Sequence, residues 1–411
     1  MLAICAALAA PLLEVTGDDG GGFHFRGGSS TGKSTALVVA GSVWGGGGTH
    51  GYVQSWRATD NALEALAALH NGACLCLDEL SQIEAKAAGA AAYMLGNGVG
   101  KARAGREGQA RKAHEWRLLF LSNGEVGLSD KIREGGGRIA AGMEVRVIDL
   151  RADAGAGLGL FEALHDAPDP ASFAQGLKVA AARSYGTAGR AFLHRLIADL
   201  DGARDGVADL RRRFVGAVVP DGADGQVRRV ADRFALVAAV GELATAAGVT
   251  GWDAGVASDA AKRCFRDWVQ ERGGVGSGEV TDARARLRKA VEADGYSRFL
   301  SWKPDPRVVM RANALGYVQR AGGDGPEDVP PVYYLHHSGI SELLTGLDRG
   351  AVLDALADQG VIVRHEVTER GAKRLAISKT FRVPCENTTV RLWQLDYFAL
   401  MEGGADERAG D

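Results

Sequence analysis

A chain of 411 residues that is 46% hydrophobic and 24% charged can bury sizeable cores and is long enough for two or three domains, which excludes a minimal binding module. Its 48 basic residues stand against 51 acidic ones, a net charge of −3, so the whole chain is not a basic nucleic-acid binder and any polyanion site must be local. The five cysteines, Cys5, Cys74, Cys76, Cys264 and Cys385, include no pair at zinc-finger spacing and read as reduced core residues. The opening run MLAICAALAAPLLEV has no basic flank, is broken by Pro11 and falls short of the ~20 residues that span a bilayer, so it predicts a buried helix. No other stretch reaches that length, and the expectation is a cytoplasmic protein with no membrane partner.

Residues 22–25 alternate like a short strand, and residues 34–43 read as a helix. Between them GGSSTGKS, residues 27–34, fits G-x-x-x-x-G-K-[ST] at every fixed position. Such a loop curls its backbone N–H groups toward phosphate oxygens, and the helix dipole adds partial positive charge. Gly27, Gly28, Ser29, Ser30, Thr31, Gly32, Lys33, Ser34 and Thr35 are therefore the expected ATP-binding residues. Lys33 would reach the β and γ phosphates, and the Ser34 hydroxyl would ligate Mg²⁺.

A second apolar run, residues 73–77, ends in Asp78 and Glu79, as expected of a parallel strand buried on both faces with its tip at a ligand site. Asp78 is a metal-site candidate, and Glu79 would polarise the attacking water, which favours hydrolysis over transfer to a bound small substrate. A third strand pattern, residues 116–122, ends at Asn123, and a fourth spans residues 145–150. This order resembles the AAA+ and superfamily 3 helicase arrangement. The resemblance implies that Asn123 senses the γ phosphate from between the first two strands. It also implies that an arginine shortly before the fourth strand acts in the neighbouring subunit's site, with Arg146 the first candidate and Arg138 and Arg133 behind it.

The stretches WRATDNALEALAALHNGACLCLDEL, YMLGNGVGKARAGREG, WRLLFLSNGE and AGMEVRVIDL resemble the domain-of-unknown-function 927 family. That family comprises helicase-like ATPases of phages, plasmids and integrative elements, often found beside or fused to primases. The likeness covers most of residues 1–160 and implies a DNA-replication motor. Members commonly carry a substantial region ahead of the phosphate loop, where about 22 residues precede it here. Their tip motif is often Ser-Thr-Gly-Glu, where this chain has Ser122, Asn123, Gly124 and Glu125.

Between the acidic strand and Asn123, residues 98–117 carry a net charge of +4, with glycines at 98, 100, 105 and 108 that permit a hairpin. Lys101, Arg103, Arg106, Arg111 and Lys112 are the DNA-contact candidates, since sequence-tolerant phosphate contacts suit a translocating motor. A solvated charged loop is the plainer reading. Upstream, Asn61 with Glu64 resembles a helix capping box, and Arg57 is a lesser candidate for touching nucleotide or a neighbouring subunit.

Residues 161–275 show helical periodicity, with Arg211, Arg212 and Arg213 read as a solvated helix face, and a glycine-rich linker follows. Residues 281–320 hold nine Lys or Arg against four Asp or Glu, with Tyr296, Phe299, Trp302 and Tyr317 interleaved, a mixture that suits either DNA contact or a small core. Beyond them, a helix capped by Asp348 and three strand patterns give a winged-helix outline.

The expected fold class is therefore α/β. It begins with a P-loop NTPase, AAA+-like parallel sheet flanked by helices (1–160), followed by a helical domain (161–275) and a small α+β domain of winged-helix outline (279–411). The expected function is an Mg²⁺- and ATP-dependent, ring-forming and hexameric motor on single-stranded or forked DNA, a replicative helicase of a mobile element with a primase as implied partner. The alternative is an ATP-switched DNA-binding initiator or defence regulator that does not unwind.

Overall fold

In the computed structural model the chain forms two compact units, Met1–Val275 and Gly276–Asp411. The residues described are 1–46, 51–104, 110–111, 113–137, 141–272, 278–295, 297–303, 313–320, 330–369 and 372–402.

The apolar N-terminus forms α1 (Leu2–Ala9) and α2 (Leu12–Thr16), with Gly17 closing the second helix at φ 73°. Nearly every α1 side chain is buried, as a helix apolar on all sides requires. β1 (Gly21–Arg26) then leads through the glycine-rich loop into α3 (Lys33–Gly41). The short β2 (Gln54–Ser55), α4 (Asp60–Leu69) and β3 (Cys74–Asp78) follow. α5 (Ala85–Asn97) recrosses the sheet to a small hairpin, β4 (Arg103–Ala104) and β5 (Ala110–Arg111). β6 (Leu119–Gly124), α6 (Leu128–Glu134), α7 (Ala141–Glu144) and β7 (Val147–Arg151) complete the layer.

The five main strands are parallel in the order β2-β3-β6-β1-β7. β6 therefore lies between the loop-bearing β1 and the acidic β3, as the sequence order predicts. Cys74, Cys76, Leu119 and Leu121 face one core with α1 and α3, while Leu75, Leu77 and Phe120 face a second core under α4 and α5. That two-sided burial explains why β3 and β6 read as unbroken apolar runs. Gly22 leaves room for its neighbour strand: an added Cβ would stand 2.5 Å from the Phe120 ring.

α8 (Pro170–Arg183) packs against α3, while α9 (Thr187–Ala198), α10 (Leu200–Val218), α11 (Gly225–Ala246) and α12 (Val256–Glu271) share the sheet's first core. Phe234 of α11 meets Phe23 of β1 edge-on at 5.1 Å and Phe265 of α12 at 5.8 Å. The half-buried Arg233 guanidinium donates to the carbonyls of Gly20 and Val145, pinning the starts of β1 and β7, and desolvation holds its pKa down at about 10. The Arg211–Arg213 run is only partly a solvated face. Arg212 and Arg213 are exposed, but Arg211 makes a bidentate pair with Asp18 at 2.6 and 3.0 Å.

The second unit comprises α13 (Gly278–Asp294), β8 (Phe299–Ser301), β9 (Gly316–Gln319), β10 (Val332–Leu335), α14 (His337–Leu343), α15 (Arg349–Asp358), β11 (His365–Glu369), β12 (Ala372–Ala376), β13 (Lys379–Val383), β14 (Thr388–Leu395) and α16 (Tyr397–Glu402). Its sheet runs β13-β14-β10-β9-β8, with only the β8–β9 pair parallel. Phe299 packs in the core under the helices, whereas Trp302 stacks on Tyr334 at 4.4 Å in a second cluster with Tyr317 and Phe381. The interleaved aromatics thus fill two small cores, and Tyr296 lies outside the described residues. Asp348 caps α15 through the N–H groups of Gly350 and Ala351, and the helix exposes Ala351, Asp354 and Asp358. No helix among the described residues is long and apolar enough to cross a membrane.

Candidate nucleotide site

The parallel strands place the loop after β1, the acidic end of β3 and the polar end of β6 along one sheet edge, where ligands collect in open α/β sheets. Gly32 takes φ 89° at the start of α3, a left-handed conformation that glycine adopts without strain, and Ser30 stands at φ 63°. Lys33 is buried to 8% exposure, its Nζ donating to the carbonyls of Gly27 (2.8 Å) and Gly28 (2.5 Å) and to Thr31 Oγ1 (3.3 Å). An ammonium held over the loop fits a triphosphate, whose oxygens can replace these carbonyls as acceptors.

Three side chains converge beside it. Ser34 Oγ donates to Asp78 Oδ1 at 2.9 Å, and Asn123 Nδ2 donates to the same Oδ1 at 2.7 Å and to Ser34 Oγ at 3.1 Å. Asn123 Oδ1 accepts the Glu79 backbone N–H at 2.6 Å. This polarity fixes the amide orientation, since the carboxylate can only accept and the backbone N–H can only donate. Ser34 and Asp78 offer hard oxygen donors suited to Mg²⁺, which keeps several waters and completes its shell from phosphate. Among the described residues no group of three or more His, Cys, Asp or Glu forms a metal cluster.

Glu79 lies at φ 63°, a left-handed conformation unusual for a glutamate, and one of its oxygens accepts from Ser81 N at 3.3 Å. Beneath the tip, a polar chain that the motifs did not reveal crosses the sheet. Trp56 Nε1 donates to Ser122 Oγ (2.7 Å), Ser122 lies 2.9 Å from His24 Nδ1, and His24 Nε2 lies 2.9 Å from the Val126 carbonyl. A carbonyl can only accept, so Nε2 carries the proton, and Ser122 donates to Nδ1 of a neutral ring. Burial lowers the His24 pKa, which keeps that ring neutral, and burial raises the carboxyl of Asp149, its register partner on β7. The signal available in sequence was two polar residues, His24 and Ser122, inside otherwise apolar strands.

A second unforeseen feature is the segment after β7. Leu160 N donates to Thr31 O at 2.9 Å, and an added Cβ on Gly32 would meet the Phe161 ring at 2.9 Å, so this segment packs directly on the loop. Gly155, Gly157 and Gly159, at φ 65° to 76°, supply its turns.

The remaining candidates scatter. Arg146 sits at the opposite sheet edge, its guanidinium donating to Gly142 O (2.8 Å) and Asn97 Oδ1 (3.3 Å) and lying 5.0 Å from the Tyr93 ring. Arg133 is exposed at the end of α6 and pairs with Asp130 at 2.9 Å, while Arg138 lies outside the described residues. Of the basic insert, Lys101 is exposed and bonded to Asp60 at 2.6 Å. Arg103 and Arg111 face each other in register across the β4–β5 hairpin, and Arg106 and Lys112 lie outside the described residues. The capping expectation is corrected: Thr59, not Asn61, is the N-cap of α4, because its extended backbone aims Oγ1 at Ala62 N, and Glu64 is buried.

Strand order, loop and polar tip together define a P-loop NTPase fold of the AAA+ kind. Residues 1–115 match the family model described as Domain of unknown function (DUF927), so the motif resemblance holds over that stretch. Among solved structures, one described as "SCCmec type IV Cch - active helicase" aligns with a TM-score of 0.69 at 20% identity, covering 97% of this chain and 66% of that one. The chain thus spans just under two thirds of that protein's length, and the likeness is one of fold. No curated protein matches the chain.

Proposed function

We propose that the protein is an ATP-hydrolysing motor that acts on DNA of a mobile genetic element, in the manner of a helicase. The observation that carries the reading is the convergence of Ser34, Asp78, Asn123 and Glu79 beside Lys33. In this reading the loop amides and Lys33 hold the triphosphate, and Ser34 and Asp78 hold Mg²⁺, which neutralises phosphate charge when bound. Glu79 orients and deprotonates the attacking water. Asn123, tied to both carboxylate-bearing residues, keeps them in register with the γ phosphate. The likeness to a helicase from an SCCmec element supports the mobile-element setting.

The β4–β5 hairpin precedes β6 in the chain, the strand whose far end carries Asn123, and in this reading that strand links phosphate to DNA. Arg103, Arg106, Arg111 and Lys112 are its proposed phosphate contacts. Assembly is proposed as a homo-oligomeric, hexameric ring in which an arginine completes the neighbour's site. Arg133, exposed at the end of α6, is proposed for this role ahead of Arg146, which is half-buried against Gly142, Asn97 and Tyr93. A primase is the proposed replication partner.

The test is steady-state ATP hydrolysis with and without single-stranded DNA, run beside unwinding of a forked duplex. Wild-type protein should hydrolyse ATP faster with DNA and open the fork, and Lys33→Ala should do neither. DNA-stimulated hydrolysis without unwinding would remove the helicase assignment and leave a translocating motor.

A further inference from the structure

Beside the first turns of α3 a cavity of about 550 Å³ lies within the first unit. That volume falls in the range of ~300–1,000 Å³ typical of small-molecule pockets. Ala36 and Val39 of α3, Phe25 of β1, Leu160 and Phe161 of the segment packed on the loop, and Trp268 of α12 line it. Thr35, the residue after the Mg²⁺-binding serine, also borders it, so the cavity begins where a loop-bound triphosphate continues into its sugar and base.

Among the charged groups around its rim, Arg263, Glu162, Glu271 and Arg151 are paired within the chain and Asp153 accepts the Gly155 N–H. Arg263 bonds to Glu162 and to the Ala154 carbonyl. Glu271 takes Arg26 at 2.6 Å and Arg151 at 3.4 Å. Asp267 and His165 stand at the exposed margin, where water competes for any hydrogen bond they make. The walls are hydrocarbon and aromatic ring, which stack on any base alike because every base has a π face.

Resting on the nucleotide reading above, we propose that this cavity seats the nucleoside by stacking and apolar contact without reading the base edge. The substrate class is then nucleoside triphosphates of any base rather than ATP alone. A pocket that hydrogen-bonds a substrate group rejects the analogue lacking it by ~10⁴–10⁵-fold, whereas apolar contact discriminates by only ~10–200-fold.

The experiment compares kcat/KM of the full chain for ATP, GTP, CTP and UTP, and measures inhibition by inorganic tripolyphosphate, which has no nucleoside. The four values should fall within about 200-fold of one another. Phe161→Ala and Ala36→Leu, which respectively empty and fill the wall, should each raise KM for all four nucleotides by a common factor while leaving the tripolyphosphate Ki unchanged. A preference for one base beyond about 200-fold would overturn the proposal while leaving the nucleotide reading intact. So would a rise in the tripolyphosphate Ki equal to the rise in KM for both variants, because the wall would then act only through the loop. Failure of tripolyphosphate to bind together with absence of hydrolysis of all four would instead sink the nucleotide reading.

Discussion

The two ends of β6 are opposite in character. At the Asn123 end, the buried Asn123, Ser122 and Trp56 and the more exposed Ser34 and Asp78 interlock, with each of these side-chain donors aimed at a named acceptor. At the hairpin end the basic side chains of Lys101 and Arg117 are about half exposed and bonded to the surface carboxylates Asp60 and Glu14. The difference separates two kinds of chemistry. Preorganised dipoles serve a transition state, where a misplacement is costly, and mobile surface charge serves a polyanion whose sequence is not read.

The largest effect should fall on the interlocked end. Glu79→Gln should lower kcat for ATP by about 10²–10⁴-fold while nucleotide binding persists, as measured by single-turnover hydrolysis beside a fluorescent-nucleotide titration. Unchanged turnover would remove Glu79 as the base. At the other end, Arg103→Ala with Arg111→Ala should spare basal hydrolysis and abolish stimulation by single-stranded DNA. The slope of log affinity against log salt should fall by about 1.4, at ~0.7 per lost phosphate contact. Loss of basal hydrolysis in that double variant would erase the proposed division between the two ends.

Smaller effects should come from beneath the site. Ser122→Ala leaves the buried Trp56 Nε1 and His24 Nδ1 without their partner and should cost about 1–3 kcal/mol in urea unfolding. The smallest concerns pH. The folded His24 pKa lies below its ordinary value of 6.5, so as pH falls below that value the unfolded chain takes up a proton that the folded chain refuses. His24 therefore contributes full stability above that point and loses it on acidification towards its lowered folded pKa. Thermal melts from about pH 8 to about pH 5 should fall less steeply in His24→Gln than in wild type. Parallel slopes would mean that the ring is not held neutral by the fold.

Much of this was legible in the sequence because it rests on local rules. The loop needs its glycines and lysine at fixed spacing, and a strand buried on both faces must be apolar to its tip, so Lys33, Ser34, Asp78, Glu79 and Asn123 stand out as candidates in the sequence, and the fold brings them together. The place of β6 between β1 and β3 agrees with what the resemblance in motif order implies. What stayed hidden depends on residues distant in the chain. Phe161 meets Gly32 only because the segment after β7 folds back, and Trp56, Ser122 and His24 come from three different strands or their ends. The helices α8–α12 read as a separate periodic region, because periodicity tells which face is apolar but not what covers it.

The position of Lys33 has a consequence for how tightly any triphosphate can be held. Its ammonium is a ligand of the loop's own carbonyls at Gly27 and Gly28, so in the proposed function nucleotide arrival would be an exchange reaction in which the lysine changes partners. The net affinity would then be the difference between two sets of charge-assisted bonds, and the same carbonyls reclaiming the ammonium would aid product release. On that proposal the loop would act as an internal competitor, favouring turnover over retention.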